Sequence, residues 1–181
     1  MQCAAFDIGV KIQLMQPLGP PDTFHLSGAV GWFELGNFAE AKAELDRITP
    51  GRRSHPDVLE VRWMIHAREQ DWGPALAAAE ELVNSAPRRP SGWIHRAFAL
   101  RRVKEGGLSA AWDALLPAHE KFPKEATIPY NLACYACQMS RLDEARLWLQ
   151  RAIRIAGKAE IKSTAANDPD LEPLWPEIQK L

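Results

Sequence analysis

Residues 127–157 read TIPYNLACYACQMSRLDEARLWLQRAIRIAG, and this stretch decides the fold. Its apolar residues recur at the spacing of two short amphipathic helices with a turn at Ser140, and the small residue Ala145 comes early in the second helix. The same arrangement occurs around three earlier alanines: Ala41, Ala75 and Ala111. The four alanines are 34, 36 and 34 residues apart, which is the period of a helix-turn-helix repeat array.

This period predicts an all-α fold, a right-handed α-solenoid of antiparallel helix pairs. Each pair leaves an apolar side that only a neighbouring pair can cover, so the pairs are stable as a stack. Residues 1–22 contain three prolines and are expected to form an irregular N-terminal extension. Residues 158–181 are expected to form capping helices at the other end. Between them, residues 23–157 are expected to form four helix pairs, at about 23–53, 56–87, 91–123 and 127–157.

The repeats resemble the tetratricopeptide repeat (TPR) family, whose unit has about 34 residues in two antiparallel helices. The resemblance covers roughly residues 23–157. In the fourth unit it rests on Leu132-Ala133, Leu142, Glu144-Ala145, Leu149 and Ala152, and in the first on Leu35-Gly36-Asn37-Phe38, Glu40-Ala41 and Leu45. Any one of these matches is weak, but several in the same phase indicate the family.

The second unit departs from the pattern at two positions. Trp63 stands where the other units have a small residue, namely Ala29, Ala99 and Ala133. In the same unit Ala79 stands where the others have leucine. We expect these changes to compensate each other, because a large-for-small exchange across a contact keeps the core volume nearly constant.

The resemblance implies a non-enzymatic adaptor that binds a peptide segment of a partner protein in a concave groove. The first helices of successive pairs line that groove in the family, which implies a set of contact residues here: Leu26, Met64, Arg68, Trp93, Arg96, Leu100, Lys104 and Tyr130. Six basic residues and no acidic residue lie between Arg88 and Lys104, which predicts acidic groups on the bound segment. The residues do not identify the partner itself.

The alternative function is a self-associating structural module. Trp112 or Trp148 on the second helices, or an incompletely covered end of the array, would then form the contact of a homo-oligomer. The oligomeric state separates this alternative from the adaptor.

The composition argues against several classes of protein. The formal net charge of −1 lacks the basic excess of a general binder of nucleic acid or anionic membranes. No run approaches 18 apolar residues, so no membrane span is expected. Because charged residues and a glycine interrupt the first residues, no secretory signal is expected either. Three cysteines suit a reducing compartment, and a cytoplasmic location is therefore predicted.

The residues also give no sign of catalytic chemistry. Cys134 and Cys137 form a C-x-x-C motif, but the motif lies inside a predicted helix rather than at its N-terminus, where the helix dipole would lower a thiol pKa. A structural zinc site needs four ligands, and only Cys3 and dispersed histidines remain. We therefore expect no metal, no cofactor and no enzymatic activity.

Overall fold

A computed structural model describes residues 18–180, and all regular secondary structure within them is helical. The all-α prediction is confirmed for this part of the chain. The described residues divide into two compact units, which we call the N-terminal unit (residues 18–105) and the C-terminal unit (residues 106–180). The extension predicted for residues 1–22 lies outside the described residues as far as position 17.

The N-terminal unit contains five helices. They are α1 (Asp22–Glu34), α2 (Phe38–Arg47), α3 (Pro56–Arg68), α4 (Trp72–Ser85) and α5 (Pro90–Leu100), with a 3-10 turn at Pro50–Arg52. Helix α1 packs on α2, and α3 packs on α4. Helix α3 also contacts α1 and α5, so the helices that open successive repeats lie side by side in this unit.

The C-terminal unit is built around one helix. Its elements are α6 (Leu108–Lys121), α7 (Thr127–Gln138), α8 (Leu142–Ala156), α9 (Lys158–Ala165), a 3-10 segment (Pro169–Leu174) and α10 (Trp175–Ile178). Every residue from 128 to 137 is buried, because α7 packs on α6, on α8 and on the 3-10 segment. The predicted third helix pair, residues 91–123, contains residues of both units, and the division into four pairs stays a prediction.

Three helix-to-helix turns share one backbone conformation. Gly36, Gln70 and Ser140 have φ angles of 75°, 60° and 63°, which lie in the left-handed region. The residue after each of them donates its backbone N–H to a carbonyl five residues earlier, at 2.8–2.9 Å. This is the Schellman motif, which satisfies carbonyl groups left unpaired at a helix end. Only Gly36 adopts the conformation without steric cost.

The start of the following helix is also determined locally. Asn37 Oδ1 accepts the backbone N–H of Glu40 at 3.2 Å, which is the bond typical of asparagine at a helix N-cap. Pro56 and Pro90 are the first residues of α3 and α5, because proline is tolerated in a helix's first turn.

The two prolines set the repeat register within the N-terminal unit. Because they are 34 residues apart, Trp63 of α3 corresponds to Ala97 of α5 rather than to Ala99. Counting by the spacing of Ala75 and Ala111 gives Ala99 instead, because that spacing is 36 residues and includes the longer Gly106-Gly107 turn. Both alanines are fully buried, so the contrast of large Trp63 with a small residue remains.

Candidate functional site

The side-by-side arrangement of α1, α3 and α5 provides the candidate site. Glu60 lies one turn before Met64 on α3, and the resemblance places Met64 and Arg68 of the same helix in the groove. Their equivalents in and just after α5 are Ile94, Phe98 and Arg102. The prediction from the sequence used the longer repeat spacing, so it selected Leu100 and Lys104, two positions later, and missed Phe98 and Arg102. The spacing of Pro56 and Pro90 was the signal that could have found them.

Two of these equivalent residues are arginines stacked on aromatic rings. The guanidinium carbon of Arg68 lies 5.7 Å from the centroid of the Phe33 ring. The guanidinium carbon of Arg102 lies 3.6 Å from the Phe98 centroid and 5.0 Å from the Trp72 centroid. Arg102 also donates from Nη1 to the backbone carbonyl of Phe98 at 2.9 Å. The cation–π contact orients the exposed Arg68 side chain, and the half-buried Arg102 is held by both its ring contacts and its hydrogen bond.

Besides Arg68 and Arg96, four of the groove residues predicted from the sequence lie in the N-terminal unit with partial or full exposure. Leu26 packs on the core of the first helix pair and Met64 on the cluster around Trp63. Both are half-buried, as is Leu100, whereas Lys104 is exposed. These residues share a unit, but the helix register brings Met64 and Arg68 into equivalence with Phe98 and Arg102 rather than with Leu100 and Lys104.

Trp93 and Arg96 form a separate contact on α5. Trp93 is 8% exposed, and its indole N–H donates to the Pro87 carbonyl at 3.2 Å. The Arg96 guanidinium carbon lies 4.9 Å from the Trp93 ring centroid. Burial lowers the pKa of Arg96 from its ordinary value. The buried indole therefore offers little surface to a ligand, while Arg96 is half-exposed above it.

Tyr130 lies elsewhere than the resemblance implies. Its side chain has no exposed surface, and its hydroxyl donates to Asp168 Oδ2 at 2.7 Å within the C-terminal unit. A residue buried in this way offers no contact to a bound segment.

A buried polar network joins α3 to α5 beneath the candidate face. His95 Nε2 and Glu60 Oε2 lie 2.8 Å apart, the Ser91 hydroxyl donates to Glu60 Oε1, and both Glu60 and His95 are buried. The His95 ring stacks on Trp63 with centroids 3.6 Å apart and planes 8° from parallel. Burial raises the pKa of Glu60, but the hydrogen bonds from His95 and Ser91 outweigh it, so the net shift is downward.

An ion pair between Arg89 and Asp57 connects the same region. Arg89 Nη1 lies 2.7 Å from Asp57 Oδ1, and both side chains are largely buried. A buried pair of this kind fixes geometry more reliably than it adds stability. Together with the Glu60–His95 contact, it holds α3 and α5 in one register, and Arg68 and Arg102 belong to that register.

The C-x-x-C motif lies next to two buried carboxylates. One ligand atom each from Cys134, Asp168 and Asp170 lies within 4.8 Å of the others, and all three residues are buried. Three ligands are one fewer than a structural zinc site uses. Asp168 already accepts hydrogen bonds from Tyr130, from the Cys134 thiol at 3.6 Å and from the Asp170 backbone at 3.0 Å. This geometry is that of a packed polar core joining α7 to the 3-10 segment.

The titration behaviour of this core follows from its burial. Burial raises the pKa of Asp168 even though Tyr130 and the Asp170 backbone donate hydrogen bonds to it. Burial also raises the pKa of the Cys137 thiol, and the negative charges of Asp170 and Asp168 add to the effect. A raised pKa disfavours the thiolate, which is the nucleophilic form of cysteine.

The tryptophans suggested for self-association are internal. Trp112 is 7% exposed and Trp148 is 6% exposed, and their rings meet edge to face with centroids 6.0 Å apart. The His119 ring packs on Trp148 from another direction, at 4.9 Å. Neither tryptophan forms an exposed contact surface.

Among residues 18–180, none of the helices is both long enough and apolar enough to cross a bilayer.

No protein-family model fits the chain, and no curated protein resembles it significantly. Solved structures, in contrast, do align with the chain. A thermophilic TPR protein from Thermus thermophilus aligns with a TM-score of 0.63 and 18% identity over 88% of this chain and all of that one. A crystal structure of MamA aligns with a TM-score of 0.64 and 16% identity over 84% of this chain and 88% of that one. A MamA double mutant (RS-1 ArsTM) aligns with a TM-score of 0.64 and 15% identity over 82% of this chain and 79% of that one. The chain therefore has the all-α, TPR-like solenoid fold.

Proposed function

We propose that this chain is a non-enzymatic adaptor that binds an extended, acidic segment of a partner protein on the face of α1, α3 and α5. The observation that carries the proposal is the pair of stacked arginines, Arg68 and Arg102. They occupy equivalent places in successive repeats, and each rests on an aromatic ring. The TPR-like fold supports a role in protein interaction, and the arginines supply the chemistry of recognition.

The arrangement suits carboxylates better than other groups. A guanidinium presents paired donors that match the geometry of a carboxylate, and a prepositioned side chain loses less conformational entropy on binding. The sequence around Arg102 carries six basic residues and no acidic one between positions 88 and 104, although the whole chain has a net charge of −1. Two acids of this region are already engaged within the chain, since Glu60 is buried and bonded to His95, and Glu69, which follows Arg68, pairs with Lys42. The local field therefore favours an anionic segment.

The helix spacing also limits the pattern of the segment. Adjacent packed helices lie about 8–10 Å apart, and an extended chain advances about 3.3 Å per residue. Two acidic residues three positions apart would therefore reach Arg68 and Arg102 together. The half-buried side chains of Met64 and Phe98 next to them provide an apolar contact for a neighbouring residue of the segment.

A set of synthetic peptides tests this proposal by fluorescence polarisation. Each labelled peptide has twelve residues, one leucine or tryptophan and two glutamates separated by two, three, four or five positions, and a matched peptide replaces both glutamates with glutamine. We expect the wild-type chain to prefer the three-position spacing at low ionic strength. We expect Arg68→Glu or Arg102→Glu to weaken that binding at least tenfold.

Arg154→Glu is the matched control, because Arg154 is an exposed arginine on α8, outside the candidate face. It changes the net charge by the same amount and should leave the affinity nearly unchanged. Equal affinity for the glutamate and glutamine peptides, or equal losses in all three variants, would show that the face is not the binding site. Circular dichroism of each variant checks that the helices remain folded.

A further inference from the structure

Helix α1 is apolar on both of its sides. One side, made of Leu26, Ala29, Val30 and Phe33, packs into the core of the first helix pair. On the other side Phe24 is 70% exposed and Leu35, which caps the helix, is 77% exposed. Helices that are apolar all round are normally covered all round. The outer side of α1 is therefore a surface that favours a partner.

Two glycines lie on this outer side. A Cβ at Gly28 would lie 3.3 Å from Glu44 Cγ of α2, so contact within the chain accounts for that glycine. A Cβ at Gly31 would meet no atom of the described residues within 4 Å. Glycine inside a helix is less stable than alanine, because it loses more conformational freedom on folding. Nothing in the described part of the chain offsets this loss at Gly31, whereas a bare backbone there permits close approach by a second helix.

The spacing of the outer residues identifies what that helix is. Phe24, Gly28, Gly31 and Leu35 are separated by four, three and four positions, which is the a/d spacing of a helix-pair seam. In an antiparallel pair of identical α1 helices, Phe24 of one copy meets Leu35 of the other, and Gly28 meets Gly31. Large residues then lie at both ends of the seam and glycines at its centre. The sequence is complementary to itself.

The residues that flank the seam are compatible with the same pairing. Ser27 and Glu34 fall on one flank, where each meets the other residue of the second copy and can form a hydrogen bond. His25 and Trp32 fall on the opposite flank, where Glu44 of α2 binds the His25 ring at 2.8 Å and Trp32 is 38% exposed. Reciprocal contacts of this kind define a two-fold symmetric interface.

We propose that a second copy of this chain covers the outer side of α1, through an antiparallel α1–α1 contact about a two-fold axis. The exposed parts of Phe24, Trp32 and Leu35 amount to roughly 350 Å² per copy, compared with about 800 Å² per partner in a standard stable interface. The dimer is accordingly weak and depends on concentration. This contact is independent of the face formed by α1, α3 and α5 and of the proposed acidic ligand.

Sedimentation velocity of the full chain from about 5 to 500 µM tests the proposal. We expect a monomer–dimer equilibrium in the wild-type chain and at least a tenfold weaker one in Leu35→Glu, since a two-fold contact contains each substitution twice. Leu147→Glu is the matched control, because Leu147 is 58% exposed on α8, and it should dimerise as the wild type does. A wild-type chain that stays monomeric at 500 µM would overturn the proposal, and so would a dimer that survives Leu35→Glu.

Gly31→Ala provides a second readout that does not depend on introducing a charge. We expect it to raise the melting temperature at low concentration by about 2–4 °C and to weaken the dimer at least fivefold. A higher melting temperature with an unchanged dimerisation constant would show that the interface lies elsewhere and would contradict the pairing. A chain that dimerises only after residues 1–17 are removed would show that this segment, not a second copy, covers α1.

Discussion

Replacing Trp63 with alanine tests how the core of the N-terminal unit tolerates its departure from the repeat pattern. Trp63 is 9% exposed and belongs to one buried cluster with Ala75, Ala78 and Ala79. Its ring stacks on His95 at 3.6 Å. The facing alanines are too short to fill the space of an indole, so the variant contains a cavity.

The expected cost follows from the size of the deleted group. Replacing a buried aromatic residue with alanine typically destabilises a protein by about 3–5 kcal/mol, through lost transfer energy and the remaining cavity. Loss of the stacked contact with His95 contributes about 0.5–1.5 kcal/mol of this. Urea unfolding followed by circular dichroism measures the change. Trp32→Ala, at a position that is 38% exposed, is the control and should cost about 1 kcal/mol or less at low protein concentration.

The double variant Trp63→Ala/Ala79→Leu tests the exchange itself. It restores the small residue on α3 and the leucine on α4 that the other units have, and leucine fills part of the cavity from the opposite side. We expect it to recover about 1–2 kcal/mol relative to Trp63→Ala, a coupling typical of residues in contact. A double variant that is no more stable than Trp63→Ala would refute the idea that these two positions compensate each other.

Four further predictions concern single groups. Tyr130→Phe leaves buried Asp168 with one donor fewer and should cost about 1–3 kcal/mol in urea unfolding, and a cost near zero would contradict the role of that bond. Because the folded-state pKa of Glu60 is lowered, its contribution is present above the ordinary glutamate pKa of 4.5 and is lost as the pH falls through the folded pKa, so the stability difference between wild type and Glu60→Gln should shrink on acidification from pH 7 to 3. Cys137 should be alkylated by iodoacetamide at pH 8 at least a hundredfold more slowly in the folded chain than in urea, as mass spectrometry can show, and equal rates would exclude a protected thiol. Gln70→Gly should stabilise the chain by about 1 kcal/mol, since φ is 60° there, and a loss of stability would mean that the side chain outweighs the strain.

The sequence predicts the fold because its information is local and repeated. The turns at Gly36 and Ser140 and the cap at Asn37 could be recognised from residue type and spacing, and the structure contains each of them. The 34-residue period also indicates that equivalent helices of successive repeats stack on one another, which a single motif does not show. The left-handed conformation at Gln70 is required by the turn and not by the residue, so it could be found only by aligning the repeats.

The candidate site was less predictable, because it depends on register and burial. A two-residue difference in one turn moved the groove positions of the third repeat from Phe98 and Arg102 to Leu100 and Lys104. Exposure was the second difficulty. Tyrosine is a residue type common at binding surfaces, but the Tyr130 side chain is buried, and its hydroxyl donates to the Asp168 carboxylate 38 residues later in the chain. Long-range partners of this kind leave no periodic pattern in the sequence.

The bond between Tyr130 and Asp168 has a consequence for how an array of this kind could grow. It joins the middle of α7 to the 3-10 segment, and Leu171, Leu174 and Ile178 are buried beside it. The 3-10 segment therefore occupies part of the surface of α7 on which a further helix would otherwise pack. An engineered longer version should be extended by internal duplication upstream of α9, with residues 158–181 kept as its terminus.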